Sequence, residues 1–276
     1  MLRLGRDLGK PSIRYLSCVV ISVVRLNVTP VKGLALSHPG EVLLTPIGVP
    51  ENRRFFMADP NGALVSAERF GPMQQVHADL DTVEDRLTLT FPDGTVVSGN
   101  ASAGGSAVST DFYGRLVPAH VVPGPFAAAL SDYTGLSVRL VRTDAPGDGS
   151  DVHHLTLVSR ASVAELGRAG GASGDIDAGR FRMLLELDGC RPYEEDTWDG
   201  RFLRVGAATV RVCGQVPRCV ITTQSPKTGL KDFDTLKVLA TSRGRMAGGA
   251  GLPFGMYGEV EHPGSVRVGD PVNLLP

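Results

Sequence analysis

Hydrophobic and polar side chains alternate over short stretches of the chain, and this period of two is typical of β-strands with one buried face. In the first half, turn-forming residues separate the stretches, and the Pro-Asp-Gly at 92–94 predicts a hairpin. Small polar residues at 99–110 predict a surface loop. The strands predicted in this half are 20–28, 41–44, 54–58, 86–91, 95–98 and 115–122.

Strand patterns return in the second half, whereas helical patterns are few and short. Residues 125–133 end before Gly135, a glycine that suits a helix C-cap. Ser162 and Glu165 have the spacing of a capping box, and 234–243 carry an apolar face, so each predicts a further helix. The further strands predicted are 154–158, 182–187, 202–205, 208–212, 219–223, 260–261 and 265–268. The fold class expected is mainly β with a few short helices (α+β). The strands are expected to form a barrel or a sandwich rather than a doubly wound sheet.

A polar segment rich in Gly and Asp, residues 142–151, is the best candidate for a linker between domains. It divides 19–141 from 152–276, and we predict one β-rich domain on each side. Basic residues precede an apolar stretch at 16–24, as in signal peptides, but no small-residue cleavage site follows and the stretch continues into the first predicted strand. Residues 1–18 are therefore expected to be a loose N-terminal extension.

Charge and composition narrow the classes of partner. The chain has 276 residues, with 28 Lys and Arg against 29 Asp and Glu, so it lacks the basic surplus that nonspecific nucleic-acid binding requires. It has no apolar run of about 18 residues, which argues against a transmembrane helix. Four cysteines in 276 residues are few for a secreted protein that disulfide bonds stabilise, so the count favours a reducing compartment. We therefore expect a cytoplasmic protein that has neither a nucleic acid nor a membrane as its partner.

Cys219 is the first candidate for chemistry, because it follows Arg218 at the start of an apolar segment. A neighbouring cation lowers the pKa of a thiol, and a thiolate is a soft ligand that suits metals able to bind sulfur. The structural alternative is that Cys219 is a small buried apolar residue entering a strand. Both interpretations are open from these residues alone.

The remaining cysteines and the adjacent histidines look structural. Cys190 and Cys213 resemble packing residues. A metal site formed by Cys213 and Cys219 is not favoured, because their spacing is not that of a zinc motif and no His or third Cys stands near in the sequence. His153 and His154 open a predicted strand, and a ligand role is not expected for either.

Residues 218–229 read Arg-Cys-Val-Ile-Thr-Thr-Gln-Ser-Pro-Lys-Thr-Gly, which resembles the core motif of MOSC-domain proteins, the family named after the C-terminal part of molybdenum-cofactor sulfurase. Other segments resemble further motifs of this family and of the β-barrel that often precedes the domain, in the expected order: 29–33, 52–55, 69–72, 180–182, 195–198, 254–257 and 263–272. The resemblance covers about residues 20–275. It implies an N-terminal MOSC β-barrel domain followed by a MOSC β-barrel domain.

Within this family the chain is similar to the amidoxime-reducing branch, whose cofactor is molybdenum held by the dithiolene of a phosphorylated pyranopterin. The resemblance implies that Cys219 is the catalytic residue and supplies a thiolate to the metal. Charge-assisted Arg and Lys donors suit the phosphate. The implied cofactor-binding residues are Lys32, Arg53, Arg69, Arg182, Arg218, Thr222, Thr223 and Asp196.

Each of these residues also has a structural interpretation. Any single cation is compatible with a solvated surface charge, and Asp196 is compatible with a carboxylate that caps a turn. Thr222 and Thr223 are expected on opposite faces of a strand, so at most one of them faces the cofactor.

The implied activity is that of an oxidoreductase that reduces N-hydroxylated or N-oxygenated small molecules. Because the 276 residues contain no iron–sulfur, flavin or cytochrome motif, electrons are expected from a separate ferredoxin-, flavin- or cytochrome-type protein. Cysteine desulfuration is not implied, since the sequence contains no pyridoxal-phosphate domain and pyridoxal phosphate is only a family-level label here.

Two alternatives to the enzyme remain open. The first is a non-catalytic domain that carries the molybdenum cofactor, or a sulfur atom as a persulfide on Cys219. Departures from the family motifs favour it, such as Met183 and Leu184 in place of Pro-Asn. The second is a structural domain that binds a partner and has no cofactor.

Overall fold

A computed structural model describes residues 20–249 and 251–276 of the protein, and strands dominate them. The α-helices in these residues are α1 (Phe126–Thr134), α2 (Arg160–Ala169) and α3 (Thr235–Ser242). The strands are β1 (Ser22–Leu26), β2 (Glu41–Leu44), β3 (Phe55–Ala58), β4 (Leu64–Val65), β5 (His77–Asp81), β6 (Arg86–Thr90), β7 (Val96–Asn100), β8 (Ala107–Phe112), β9 (Arg115–Val121), β10 (Arg139–Thr143), β11 (Leu155–Ser159), β12 (Leu185–Asp188), β13 (Phe202–Val205), β14 (Ala208–Arg218), β15 (Leu252–His262), β16 (Gly264–Arg267) and β17 (Val272–Leu274). The predicted fold class is confirmed. In the same residues, no helix has the length and apolar character that a membrane crossing requires.

β1 and strands of the second half form a seven-stranded sheet in the order β1-β12-β11-β15-β14-β13-β17. The two edges of this sheet meet. The Val272 amide donates to the Ile21 carbonyl at 2.8 Å, and the Gly269 amide donates to the Val23 carbonyl at 2.7 Å. The sheet is therefore a nearly closed barrel, and its closure pairs backbone groups that an open edge would expose.

Alternation along β14 and β15 divides their side chains between the inside and the outside of this barrel. Val210 and Val212 are fully buried in the barrel core, where each contributes about 1.5–3 kcal/mol relative to exposure. The intervening Arg211 faces outward and pairs with Glu259 across the strands at 2.5 Å. Part of the outer face is covered by α2 and α3 through an apolar cluster that includes Phe254.

The first half of the chain forms a half-barrel from a five-stranded sheet, β4-β3-β10-β9-β8, and a three-stranded sheet, β5-β6-β7. Leu87 and Leu89 of β6 point into the same core as Phe55 and Met57 of β3, because alternate residues of a strand share a face. Phe126 of α1 completes this core, and all five residues are fully buried. The half-barrel thus has an apolar core of its own.

The two halves of the chain interlock, so the predicted division at 19–141 and 152–276 does not match the strand pairing. β1 pairs with β12 and β2 pairs with β16, which places N-terminal strands in the sheets of the second half. The predicted linker, 142–151, is a packed segment, and its first two residues are the end of β10. At Gly149 the backbone lies so close to Arg53 that a Cβ atom would be 1.9 Å from the Arg53 carbonyl oxygen, which leaves no room for a side chain. The predicted extension at 1–18 lies outside the described residues.

Two local predictions are wrong for identifiable reasons. The predicted loop at 99–110 contains most of β8, whose small polar residues conceal a strict alternation of exposed and buried positions. The capping box at Ser162 does not begin a helix. Instead, α2 has Ser159 as its N-cap, and the Ser159 hydroxyl accepts a hydrogen bond from the Ser162 amide at 3.1 Å.

Candidate functional site

Cys219 lies where β14 ends, at the start of a 3-10 turn over Val220–Thr223. The Thr222 hydroxyl donates to the Cys219 carbonyl at 2.9 Å, and the Thr223 hydroxyl donates to the Val220 carbonyl at 2.7 Å. The strand predicted for 219–223 is therefore wrong, because both buried hydroxyls bond to the backbone three residues earlier. The two threonines stabilise the turn and leave Cys219 exposed at its start.

Arg180 anchors this turn from behind. Its guanidinium donates to the Thr222 carbonyl at 3.2 Å and pairs with Asp232 at 2.9 Å. The Thr235 hydroxyl donates to the same Thr222 carbonyl at 2.6 Å. Arg180 is 3% exposed, so its position is fixed by packing as well as by charge. Sequence analysis placed Arg180 in a family motif without assigning it a role, and the structure gives it a positioning role.

The surroundings of the Cys219 sulfur favour the neutral thiol. Desolvation by the neighbouring protein raises the pKa of the thiol to about 11, and the Glu68 carboxylate adds to this effect. The Ile221 amide and the Arg218 guanidinium act in the opposite direction but are outweighed. Arg218 therefore favours the thiolate, as its adjacency to Cys219 predicts, without ionising the thiol on its own. A bound metal ion deprotonates a coordinating thiol outright.

Lys32 and Arg53, from the first half of the chain, meet one carboxylate, Asp151. Lys32 Nζ lies 2.5 Å from Asp151 Oδ1 and donates to the Gly149 carbonyl at 3.1 Å. Arg53 Nη1 lies 3.5 Å from Asp151 Oδ2. Burial raises the pKa of Asp151, but the charges of Lys32 and Arg53 outweigh it, and the net shift is downward. Asp151 is therefore an ionised carboxylate that holds both cations in place.

Arg182 and Arg218 bring two further cations from the second half. Arg53 Nη2 donates to the Arg182 carbonyl at 3.2 Å, and the Arg182 guanidinium donates to the Leu34 carbonyl at 2.6 Å. Arg218 donates to the Phe181 carbonyl and lies over the Phe181 ring. Arg53 and Arg182 have φ of 55° and 52°, a left-handed conformation that costs about 1–3 kcal/mol and clusters at functional sites.

We call Lys32, Arg53, Arg182 and Arg218 the cation cluster, and Asp151 is the carboxylate at its centre. Burial lowers the pKa of Lys32 to about 8, and the charges of Arg53 and Arg182 act in the same direction against the attraction of Asp151. Burial and the Arg53 charge lower the pKa of Arg182 as well. Within the described structure, Nε of Arg218 is buried and has no hydrogen-bond partner. The cluster thus has more positive than negative charge, and it has one N–H donor without an acceptor among the described residues. A bound anion would neutralise part of the charge and accept that hydrogen bond.

Two of the predicted site residues are paired elsewhere. Arg69 is 49% exposed at its side chain and lies 3.6 Å from Asp59 of its own half-barrel. Asp196 accepts a hydrogen bond from Arg243 at 2.5 Å, and the Arg243 guanidinium stacks over the Tyr193 ring at 4.3 Å. Arg69 is thus a surface charge, as its structural alternative expects. Asp196 pairs with an arginine from a distant segment, which differs from the turn-capping carboxylate of its structural alternative.

Sequence analysis missed four residues of this region. The carboxylates are Asp151, which lay in the predicted linker, and Glu68. The phenols are Tyr113 and Tyr257, and desolvation raises the pKa of both, with a further contribution from the Asp151 charge. Sequence signals existed for the two phenols: Tyr257 lies in the motif segment 254–257, and Tyr113 precedes Gly114 in the turn between β8 and β9. The contacts that define Asp151 and Glu68 are long-range and have no local pattern.

A cleft of about 520 Å³ opens between the two halves of the molecule. Gln74 and Gln75 line it from the first half, and Asp177 and Lys227 line it from the second. Arg182 Nη1 donates to Gln74 Oε1 at 3.4 Å. Gln74 therefore lines the cleft and also contacts the cation cluster. Cys219 is not among its lining residues.

The fold and the site define a protein with a half-barrel and a nearly closed barrel, whose halves meet at an exposed thiol and four cations. Residues 144–273 match the family model of the MOSC domain, and residues 20–115 match the model of the MOSC N-terminal beta barrel domain. The chain belongs to the MOSC-domain proteins, and the family expected from the sequence motifs is confirmed.

Comparison with individual proteins gives partial matches. The human mitochondrial amidoxime-reducing component 1 is 34% identical in an alignment 133 residues long, which covers 46% of this chain and 38% of that protein. The molybdenum cofactor sulfurase of Drosophila grimshawi is 28% identical in an alignment 276 residues long, which covers 92% of this chain and 34% of that protein. The chain thus spans less than two-fifths of the length of either relative. Among solved structures, the YUAD protein from Bacillus subtilis covers 92% of this chain and 95% of its own at 12% identity, with a TM-score of 0.47.

Proposed function

We propose that this protein binds a molybdenum cofactor and reduces N-hydroxylated small molecules with electrons from a separate donor protein. The observation that carries the proposal is the exposed Cys219 thiol next to the cation cluster. A soft sulfur ligand suits molybdenum, and clustered guanidinium and ammonium groups suit the phosphate of its pterin. The similarity to an amidoxime-reducing component supports the choice of substrate class.

The residues present fit such a group. Four cations share their region with one centrally paired carboxylate, Asp151, so a dianionic phosphate would reduce their mutual repulsion. The buried Nε of Arg218 offers a hydrogen bond that no described protein atom accepts. Cys219 is exposed and its turn is rigidly anchored, so its sulfur is free to take a ligand position.

Each residue has a distinct task in this proposal. Cys219 Sγ would hold the metal after losing its proton, for which the nearby Glu68 carboxylate is the acceptor. Lys32, Arg53 and Arg182 would bind the phosphate, and Asp151 keeps two of them oriented. When bound, the cofactor supplies the two-electron redox chemistry.

The reduction consumes two protons as well as two electrons, because the N–OH group becomes N–H and water leaves. Tyr113 is exposed, and its hydroxyl is protonated at neutral pH, as a tyrosine with an ordinary pKa already is. Desolvation and the Asp151 charge raise this pKa further. The hydroxyl is therefore available as a hydrogen-bond donor to a substrate near Cys219.

The test is activity with a defined substrate. Holoprotein from a host that makes the cofactor should reduce an amidoxime to the amidine with a chemically reduced viologen as the electron source. Cys219→Ala should abolish turnover, whereas Cys190→Ser, a change at a half-buried cysteine outside the site, should retain it. Full activity in Cys219→Ala would refute the proposal.

A second candidate function is that Cys219 carries sulfur as a persulfide without turnover. The exposure of the thiol and the similarity to a molybdenum cofactor sulfurase over 92% of this chain favour it. A mass increase of about 32 Da on Cys219, with no bound metal, would support this function over the first.

A further inference from the structure

A second cluster of metal-ligating side chains lies on the outer face of the C-terminal barrel. His153 Nδ1 lies 3.7 Å from Cys213 Sγ and 3.3 Å from Glu259 Oε1, and the three ligand atoms all lie within 4.8 Å of one another. None of these residues belongs to the cation cluster or to the turn of Cys219. They offer an imidazole, a thiol and a carboxylate, the three ligand types that zinc uses most.

The sheet brings together residues that the sequence keeps apart. Cys213 lies in β14, Glu259 lies in β15, and His153 lies two residues before β11. These strands are neighbours in the order β11-β15-β14, so the three side chains meet on one face. Sequence analysis gave neither Cys213 nor His153 a ligand role, because it found no ligand near Cys213 along the chain. The missing partners come from adjacent strands.

The two separations measured from the His153 nitrogen match those of a tetrahedral metal site. Zn–N and Zn–O bonds of about 2.0–2.1 Å and a Zn–S bond of about 2.3 Å place nitrogen about 3.6 Å from sulfur and about 3.3 Å from oxygen at tetrahedral angles. The observed separations from His153 Nδ1 are 3.7 Å to Cys213 Sγ and 3.3 Å to Glu259 Oε1. Sulfur and oxygen face the same ring nitrogen, whereas a Cys-His-Glu catalytic triad would use both nitrogens of the ring. The arrangement therefore suits a shared ion rather than a nucleophile with its base.

The carboxylate is already oriented for this role. Arg211 pairs with Glu259 Oε2 at 2.5 Å, which leaves Oε1 to face His153. Partners of this kind fix the orientation of metal ligands. Arg211 is itself held by Glu261 at 3.2 Å.

We propose that His153 Nδ1, Cys213 Sγ and Glu259 Oε1 form a Zn²⁺ site with water as the fourth ligand. Binding releases the thiol proton of Cys213 to solvent and joins β14, β15 and the segment before β11 at one point. His153 is two residues from Asp151, so the ion also fixes the segment that carries the carboxylate of the cation cluster.

Co²⁺ is a suitable probe, because a cobalt–thiolate bond has a charge-transfer absorption that Zn²⁺ lacks. The full chain, freed of metal with a chelator, should bind one Co²⁺ with this absorption, and Zn²⁺ should displace it. Cys213→Ser and His153→Ala should abolish the band, while Cys190→Ser and Cys219→Ser should retain it. Zn²⁺ should raise the midpoint of thermal unfolding of the unmodified chain and leave that of Cys213→Ser unchanged.

Glu259→Gln provides a second test that does not disturb a buried group, because its side chain is 43% exposed. We expect it to weaken Co²⁺ binding by at least about tenfold while the far-UV spectrum of the protein stays unchanged. The proposal is overturned if no thiolate band forms, or if the band depends on Cys219 rather than on Cys213.

Discussion

Lys32 is 8% exposed and carries its charge near two guanidinium groups, those of Arg53 and Arg182. Burial and the charges of Arg53 and Arg182 outweigh the attraction of Asp151, so its pKa falls to about 8. A lysine with a lowered pKa is charged below that value and becomes neutral as the pH rises through it. The affinity of the cation cluster for an anion should therefore decrease over this range.

Sulfate can measure this decrease, because its own charge is constant over the range. Sulfate should raise the midpoint of thermal unfolding of the cofactor-free chain at pH 7, and the effect should decline as the pH passes through about 8 and above. Lys32→Met should weaken the effect at pH 7 and remove its pH dependence, whereas Lys237→Met, at an exposed lysine of α3, should behave as the unmodified chain. A sulfate effect that stays constant from pH 7 to pH 9 would contradict the role of Lys32.

Glu68 provides a second test at this scale, because its charge opposes ionisation of Cys219. Glu68→Gln should lower the pKa of the Cys219 thiol below about 11, since desolvation remains but the repulsion is removed. Alkylation of Cys219 at pH 8, followed by mass spectrometry of the labelled peptide, should be faster in this variant. Glu84→Gln, at an exposed carboxylate paired with Arg86, serves as the control. Equal alkylation rates in Glu68→Gln and the unmodified chain would show that Glu68 does not act on the thiol.

At the scale of elements, local patterns identified most strands and helices but not the turn that presents Cys219. α1 ends at Gly135 with φ of 67°, as its sequence predicts, and α3 lies within the predicted helix at 234–243 with Asp234 as its N-cap. Residues 219–223 are rich in β-branched side chains, which favour a strand. Their threonine hydroxyls bond to backbone carbonyls instead, and the anchoring Arg180 comes from a distant segment that no local pattern reveals.

β1 and β12 are joined by an ion pair whose loss should be costly. Glu186 is fully buried in β12, and Arg25 of β1 donates to its carboxylate at 2.5 and 2.8 Å. Arg25→Met should reduce the free energy of unfolding by about 3 kcal/mol or more, because it leaves a buried carboxylate short of a partner. Urea denaturation measures this change.

Two further variants distinguish this mechanism from general damage to the strand. The double variant Arg25→Met, Glu186→Met should recover most of the loss, since it removes the buried carboxylate. The pair of Arg25 with the partly exposed Asp177 stays broken in both variants and contributes much less. Arg267→Met removes the exposed pair with Glu41 between β16 and β2 and should cost much less. A loss in Arg25→Met no larger than that in Arg267→Met would mean that the buried pair does not stabilise the barrel.

At the scale of the whole molecule, the site exists because the two halves fold against each other. Lys32 and Arg53 come from the first half, Arg182 and Cys219 come from the second, and Asp151 comes from the segment between them. Motif order in the sequence predicted the cysteine and the cations. It could not predict Asp151, because a charged residue in a polar segment is recognisable as a site residue only when its partners are in place.

The claim that Cys219 ligates molybdenum is tested most directly by X-ray absorption at the molybdenum edge of the holoprotein. In Cys219→Ser, the bound molybdenum should have one sulfur neighbour fewer than in the unmodified chain, whereas Cys190→Ser should leave the number unchanged. An identical sulfur count in Cys219→Ser and the unmodified chain would contradict the claim.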